Sequence, residues 1–278
     1  MKNFILLIIF LFSKNLFAAD TTYFSCKYKY IQQKDSTNTN SKADDVMILT
    51  MNNSSSLYYS YLRQLGNRNR DQYLENIVSS GSTEVNLGKD MEKITGQFFL
   101  NDESAVMRID YTKRQVNLTD KFSSENTFGY VDNLNSINWK IETTTDTILG
   151  QKCQMATTTF KGRNYIAWFA PGIPYNMGPW LFNGLPGLIL KIADDKKQFL
   201  FECIELNTPE SSTKVFKPYE NVQSVSKKKL REMKRLYTQN YMKFTQQIEG
   251  KTITATDPNG KPLHFADKPY NPIDLTEE

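Results

Sequence analysis

The chain has 278 residues, 39% hydrophobic and 23% charged, a balance that excludes a disordered chain and one built of membrane-spanning segments. Its net charge is +4, and loss of Lys2 and Lys14 with a cleavable leader lowers it to +2, too little for a nucleic-acid footprint. One histidine, His264, and three cysteines argue against metal and cofactor chemistry, and any histidine-based triad must use His264.

The N-terminus has the pattern of a secretory signal. Lys2 is the basic start, Phe4 to Phe12 is an unbroken apolar run, and Leu16-Phe17-Ala18-Ala19 ends in small residues. Residues 1–18 are therefore expected to be removed, with cleavage after Ala18 favoured and Ala19 next. The mature protein is expected to be periplasmic or secreted, and no later apolar run is long enough for a transmembrane segment. Cys26 follows Tyr23-Phe24-Ser25 and lacks the aliphatic residue of a lipoprotein signal. In an oxidising compartment, three cysteines allow one disulfide and one thiol, and spacing alone permits three pairings. Cys153 and Cys203 flank the most distinctive segment in strand-like runs, so they form the expected pair. Cys26, on the apolar side of Phe24, Cys26, Tyr28 and Tyr30, is expected to be a buried thiol.

Period-2 patterning dominates the chain. Residues 22–32, 44–52, 92–100, 104–111, 115–120, 126–132, 137–144, 151–160 and 163–169 read as strands, with a polar loop at 33–43 and a turn at Asn101-Asp102-Glu103. Asn69 to Val78 reads as a short helix, with Tyr73 and Ile77 on one face. The first 170 residues contain no proline, so a continuous sheet is allowed there. Leu188 to Ala193 and Gln198 to Leu206 form a further hairpin around Asp194-Asp195-Lys196-Lys197. The expected fold is mainly β with a few helices: an antiparallel, hairpin-linked sheet, curving toward a half-barrel, plus a C-terminal amphipathic helix.

That helix spans Ser226 to Gln247. Leu230, Met233, Tyr237, Tyr241 and Phe244 recur at spacings of three and four, and residues 224–243 carry seven positive charges against Glu232. A basic face suits an anionic lipid surface, but no tryptophan anchors it, and a solvated face on a packed helix is the simpler reading. Asp257-Pro258-Asn259-Gly260 marks a loop, and Tyr270 to Glu278 reads as an extended, loosely attached tail. The expected organisation is a signal at 1–18, a β-rich domain at 19–223, and a helix and tail at 224–278 packed on that domain.

Residues 162–193 read GRNYIAWFAPGIPYNMGPWLFNGLPGLILKIA. Pro171-Gly172, Gly178-Pro179 and Pro186-Gly187 are turn dipeptides, yet Trp168, Phe169, Trp180, Phe182 and Leu185 lie between and beside them. So apolar a loop must pack down, cover a cavity, or meet a partner. Gly184-Leu185-Pro186-Gly187-Leu188-Ile189 resembles the motif that names the GLPGLI family of exported bacterial proteins. Ile148 to Ala156 around Cys153, the Gly162-Arg163 pair, Ala167-Trp168-Phe169, Ile173-Pro174 and Gly178-Pro179-Trp180 follow in the family's order. Ser56-Leu57-Tyr58-Tyr59-Ser60 and the stretch from Tyr130 to Ile141, with Trp139, are similar too. The resemblance implies export from a Gram-negative cell and a β-rich fold; it carries over no catalytic residue.

No nucleophile elbow, phosphate loop or dinucleotide fingerprint occurs. Ser211-Ser212-Thr213-Lys214 and Ser224-Val225-Ser226-Lys227 fit a common four-residue pattern without its companion motifs. No catalytic residue, metal site or cofactor is expected. Trp168, Phe169, Trp180, Phe182, Leu185, Pro186 and Leu188 are the candidate binding residues, set against the simpler reading of core aromatics. The expected partners are an apolar small molecule or lipid held in the curved sheet, or an envelope protein docking on 168–188. A hydrolase using acids or a serine ranks last.

Overall fold

The computed structural model describes residues 24–66, 76, 79, 104–123, 126–207, 219, 221–250, 252, 259, 261 and 265–276. The signal region, His264, the strand expected at 92–100 and most of the helix expected at Asn69 to Val78 lie outside the described residues; 61–66, Asn76 and Ser79 are helical.

Alternating apolar and polar residues give β1 (Phe24–Gln33), β2 (Lys42–Met51), β4 (Val106–Asp110), β5 (Gln115–Lys121) and β6 (Thr127–Asn133). Between them, β3 (Ser55–Ser60) is a strand that its serines hide from an alternation reading. The second run holds β7 (Lys140–Ile148), β8 (Gln151–Phe160), β9 (Arg163–Ala170), β10 (Leu188–Asp194) and β11 (Phe199–Asn207). The loops Leu149-Gly150 and Lys161-Gly162 have positive φ at both residues, the two-residue hairpin turn that matches strand twist. A two-residue β12 (Gln223–Ser224) pairs parallel to β6; every other ladder is antiparallel.

The sheet has twelve strands in the order β12-β6-β5-β4-β3-β2-β1-β11-β10-β9-β8-β7 and is not closed. β6 and β7 are consecutive in sequence yet stand ten interstrand steps apart. Laid flat, those steps would span about 48 Å. The connection, residues 134–139, reaches about 25 Å at most. The sheet must therefore curl until its two ends approach. The core agrees: Met107, Ile109 and Val116 from β4 and β5 share one buried cluster with Ala156, Phe160, Tyr165 and Ala167 from β8 and β9.

The expected C-terminal helix is two helices, α1 (Lys227–Gln239) and α2 (Tyr241–Ile248). Asn240 divides them. Its backbone is extended, its N–H donates to Leu236 at the end of α1, and its side chain accepts from Lys243 N at the start of α2. Leu230, Met233 and Phe244 bury against Phe122 and Phe128 of the β5–β6 end. On the basic side, Lys227 pairs with Asp132, Arg231 with Asp274 and Lys234 with Asp120, so part of the positive face turns inward to carboxylates.

Two expectations are corrected. Cys153 and Cys203 are not bonded; all three cysteines are buried free thiols. β9 and β10 lie between their strands, three steps or about 14 Å of sheet, whereas a disulfide needs Cα atoms within about 7 Å. The tail is also not loose at 271–276. Asn271 is buried and donates to Gln33 O at 2.8 Å, and Leu275 N donates to Lys161 O at 2.9 Å.

Candidate functional site

Residues 171–187 leave β9, cross the inner face of the curved sheet, and return to β10. Local chemistry fixes their path. Ile173 N donates to Ala170 O, Phe182 N to Pro179 O, Gly184 N to Asn176 O and Ile189 N to Met177 O, so the loop pairs its own backbone as it descends. Gly184 and Gly187 have φ of 92° and 152°, which glycine adopts most readily. A Cβ on Gly187 would stand 2.3 Å from Ala170 O, and one on Gly178 2.9 Å from the Ile189 side chain. The GLPGLI-like hexapeptide is thus a packing device: Gly187 admits the β9 backbone while Leu185, Leu188 and Ile189 bury completely.

Phe182 is the centre of the loop. Its ring is T-shaped to Tyr165 at 4.8 Å and to Phe201 at 6.0 Å, tilted to Phe160 at 6.0 Å, and T-shaped to Trp180 at 5.3 Å. Those partners come from β8, β9, β11 and the loop itself. The loop also meets the β6–β7 connection: Trp139 Nε1 donates to Asn183 O at 2.8 Å. Deeper in, the Tyr28 hydroxyl donates to Ile189 O at 2.7 Å, beside the irregularity that separates Ile189 from Lys191 in the β9–β10 ladder. Burial pushes the Tyr28 hydroxyl well above its ordinary titration range.

The structure brings some of the expected binding residues together and separates others. Phe169, Phe182, Leu185 and Leu188 are fully buried in one cluster. Trp180 is half-buried beside them, with its ring T-shaped to Phe160 at 5.9 Å. Pro186 is exposed on the rim with Pro171, Pro174 and Gly184, while Tyr175 and Leu181 are half-buried. Trp168 alternates away from Phe169 along β9, in register with Met155 and Lys191, and is half-buried against the same core.

A second constellation escaped sequence reading. The buried Arg163 guanidinium pairs with Asp194 at 3.3 Å and donates to Gln198 at 2.8 Å, to Asn271 Oδ1 at 2.7 Å, and to the carbonyls of Pro272 and Ile273. It also lies 4.5 Å from the centre of the Phe199 ring. Asp194 Oδ1 accepts from Phe199 N at 2.7 Å. The adjacent acids Asp194-Asp195 therefore divide their labour: one is buried with Arg163, the other accepts from Asn164 at the surface. The sequence signals were an acidic pair at a turn and the Gly162-Arg163 pair, and nothing local ties Arg163 to its partner Asn271, 108 residues further on. Asp45 is similar, buried and accepting from Ser60 Oγ at 3.1 Å. These groups are saturated by neighbours, which is the chemistry of a clasp rather than of a reaction centre. Among the described residues no three His, Cys, Asp or Glu side chains converge as metal ligands, and no helix is long and apolar enough to cross a membrane.

A family model described as a protein of unknown function (Porph_ging) matches residues 158–191, the stretch from the end of β8 through the loop into β10. No curated protein matches the chain. Among solved structures, one of PNGF-II in space group P21 has a TM-score of 0.50 at 12% identity, covering 76% of this chain. A second, of PNGF-II in space group C2, has a TM-score of 0.49 at 12% identity and the same coverage. This chain spans 32% of each. At 12% identity the likeness to the first is one of fold.

Proposed function

We propose that the chain is an exported accessory protein of the cell envelope that works by binding a protein partner rather than by catalysis. The observation that carries this reading is the burial of the loop. Phe182, Leu185 and Leu188 turn inward and occupy the inner side of the curved sheet, where an apolar small molecule or lipid would otherwise sit. A carrier of apolar ligands would hold that space for its cargo. What the loop leaves outside is a stiff rim: Pro171, Pro174 and Pro186 exposed, with Tyr175, Trp180 and Leu181 half-buried. Prolines and paired backbone fix this rim in advance, so docking costs little ordering entropy. Half-buried aromatics are the usual anchors of a protein interface. The signal-like N-terminus supports an envelope location.

The test is crosslinked co-purification from the envelope fraction, with the full-length protein as bait. The double variant Trp180→Ala/Leu181→Ala and the rim variant Pro186→Glu should each lose partner recovery by about tenfold, a difference of about 1.4 kcal/mol; Pro186→Glu should unfold near the wild-type temperature, and the double variant, which also loses the packing of Trp180 on Phe160 and Phe182, at a lower one while still folded in the assay. Equal recovery by both well-folded variants rejects the reading. A stoichiometric apolar molecule in organic extracts of the purified protein would favour the carrier instead.

A further inference from the structure

Arg163 is held in place by groups that do not belong to the segment crossing it. Asp194 and Gln198 bind the guanidinium, the Phe199 ring backs it at 4.5 Å, and Asp194 is itself anchored by Phe199 N. Across this surface runs a strap, residues 270–276, that belongs to no strand or helix. Of the strap only Asn271 is buried; Pro272, Ile273 and Asp274 are half-buried and Leu275 is exposed, the profile of a segment lying in an open groove. The groove reads the strap mainly by its backbone. Gln32 donates to Asn271 O, Arg163 to Pro272 O and Ile273 O, and Arg231 to Asp274 O, while Lys161 O accepts from Leu275 N. Two side chains are read as well. The Asn271 carboxamide accepts from Arg163 at 2.7 Å and donates to Gln33 O at 2.8 Å, which an amide satisfies and a carboxylate or a methyl does not. The Asp274 carboxylate meets Arg231 at 3.2 Å. Pro269 and Pro272 bias the residues before them toward extended backbone, the form in which a peptide is read by its carbonyls and alternate side chains.

We propose that this groove is a peptide-binding site in its own right, one that takes an extended Asn-Pro-x-Asp segment and is occupied in cis by the chain's own tail. The tail is then a displaceable occupant, and a peptide of the same chemistry presented in trans competes with it. Arg163 and Ala170 are the two ends of β9, about 23 Å apart, and the aromatic rim begins at the Ala170 end. The inference therefore goes beyond the rim reading and does not rest on it. Because the tail belongs to the same chain, it holds the groove at an effective concentration of about 1 mM. A peptide in trans enters readily only where the tail's own grip is weakened.

The test uses the full chain and a fluorescent synthetic peptide of residues 268–278. Anisotropy should show one saturable site on the tail-weakened full-length variant Asn271→Ala/Asp274→Ala, with an affinity about tenfold or more above that of the wild type. Peptide carrying the same two substitutions should not compete. Adding Arg163→Lys to the weakened protein should abolish binding, because lysine keeps the charge beside Asp194 but loses the fork that reaches the strap carbonyls. A measurement on the wild type needs no variant. In isotope-labelled protein, excess unlabelled natural peptide, and not its scrambled form, should speed hydrogen exchange at the Leu275 amide, which donates to Lys161 O. Absence of saturable binding by the weakened variant, shown to be folded by its thermal transition, overturns the proposal. Equal binding of the substituted peptide overturns it too. If the weakened variant does not fold, exchange at Leu275 decides, and an unchanged rate under excess peptide overturns the proposal.

Discussion

At Gly187 one methyl group is enough to break the closest approach made to any described glycine. Its φ of 152° is costly for any residue with a Cβ, and the added carbon would press on Ala170 O and on Pro171. Gly187→Ala should therefore destabilise the protein by about 2–4 kcal/mol, combining backbone strain with overpacking. Chemical denaturation measures this directly; a loss below about 1 kcal/mol would mean that β9 can shift to admit the methyl. The sequence marks this glycine by its place in a distinctive hexapeptide but conceals why it is there. Turn dipeptides announce a bend, whereas the contact that excludes a side chain comes from a strand 17 residues earlier in the chain. Phe182 and Trp180 read alike in the sequence for the same reason: only the curl of the sheet decides that one is inside and the other on the rim.

The elements differ in how openly the sequence declares them. Strands with one buried face show it by alternation, and β1, β2, β5 and β8 to β11 lie within a few residues of where patterning puts them. β3 and β12 do not, because serines and glutamine carry them and tertiary pairing alone makes them strands. The division of the C-terminal helix at Asn240 is hidden as well, since the apolar spacing runs through it without interruption; Asp267, which accepts from Asn240 Nδ2 at 2.8 Å, comes 27 residues later. The C-terminal strap is the clearest case. Its polar composition suggests freedom, yet Asn271, Pro272, Ile273 and Asp274 all bond to side chains elsewhere. Asn271→Ala removes the acceptor for Arg163 and the donor to Gln33 O, leaving buried polar groups unpaired. The expected cost is about 2–3 kcal/mol, and a carboxypeptidase should then trim the tail faster than in the wild type. Unchanged trimming would show that the ion pairs of Asp274 hold the strap by themselves.

For the whole molecule, curvature is the property that matters. A half-barrel follows in outline from short antiparallel strands, but the order of strands does not, because the β1–β11 pairing joins segments at opposite ends of the sheet's sequence. The charged perimeter sets the response to pH. Burial works to raise the Asp132 carboxyl, but hydrogen bonds from Lys227 and the Asn133 backbone hold it below its ordinary value; bonds from Lys27 and Asn207 do the same for Glu205. A depressed carboxyl stabilises the fold above its unfolded value, about pH 4, and that contribution is lost as pH falls through the lower folded value. Burial pushes Tyr111 and Tyr130 up to about 12. Their contribution is complete below about pH 10, the unfolded value, and disappears as pH climbs toward the folded one. Thermal midpoints should thus form a plateau between about pH 5 and 9, falling on both sides. Greater stability at pH 3 than at pH 7 would contradict the acid arm.

One end of the sheet remains uncovered by any described strand. β7 is exposed at every residue except Glu142 and Ile148, and between Ile141 and Thr145 its register against β8 breaks. Such a break interrupts the even row of amide and carbonyl groups that another chain would need in order to add a strand, and Lys140, Glu142 and Asp146 place charge along the same border. The consequence is colloidal: this open border of the described sheet is a poor template for edge-to-edge association, which favours a dispersed protein.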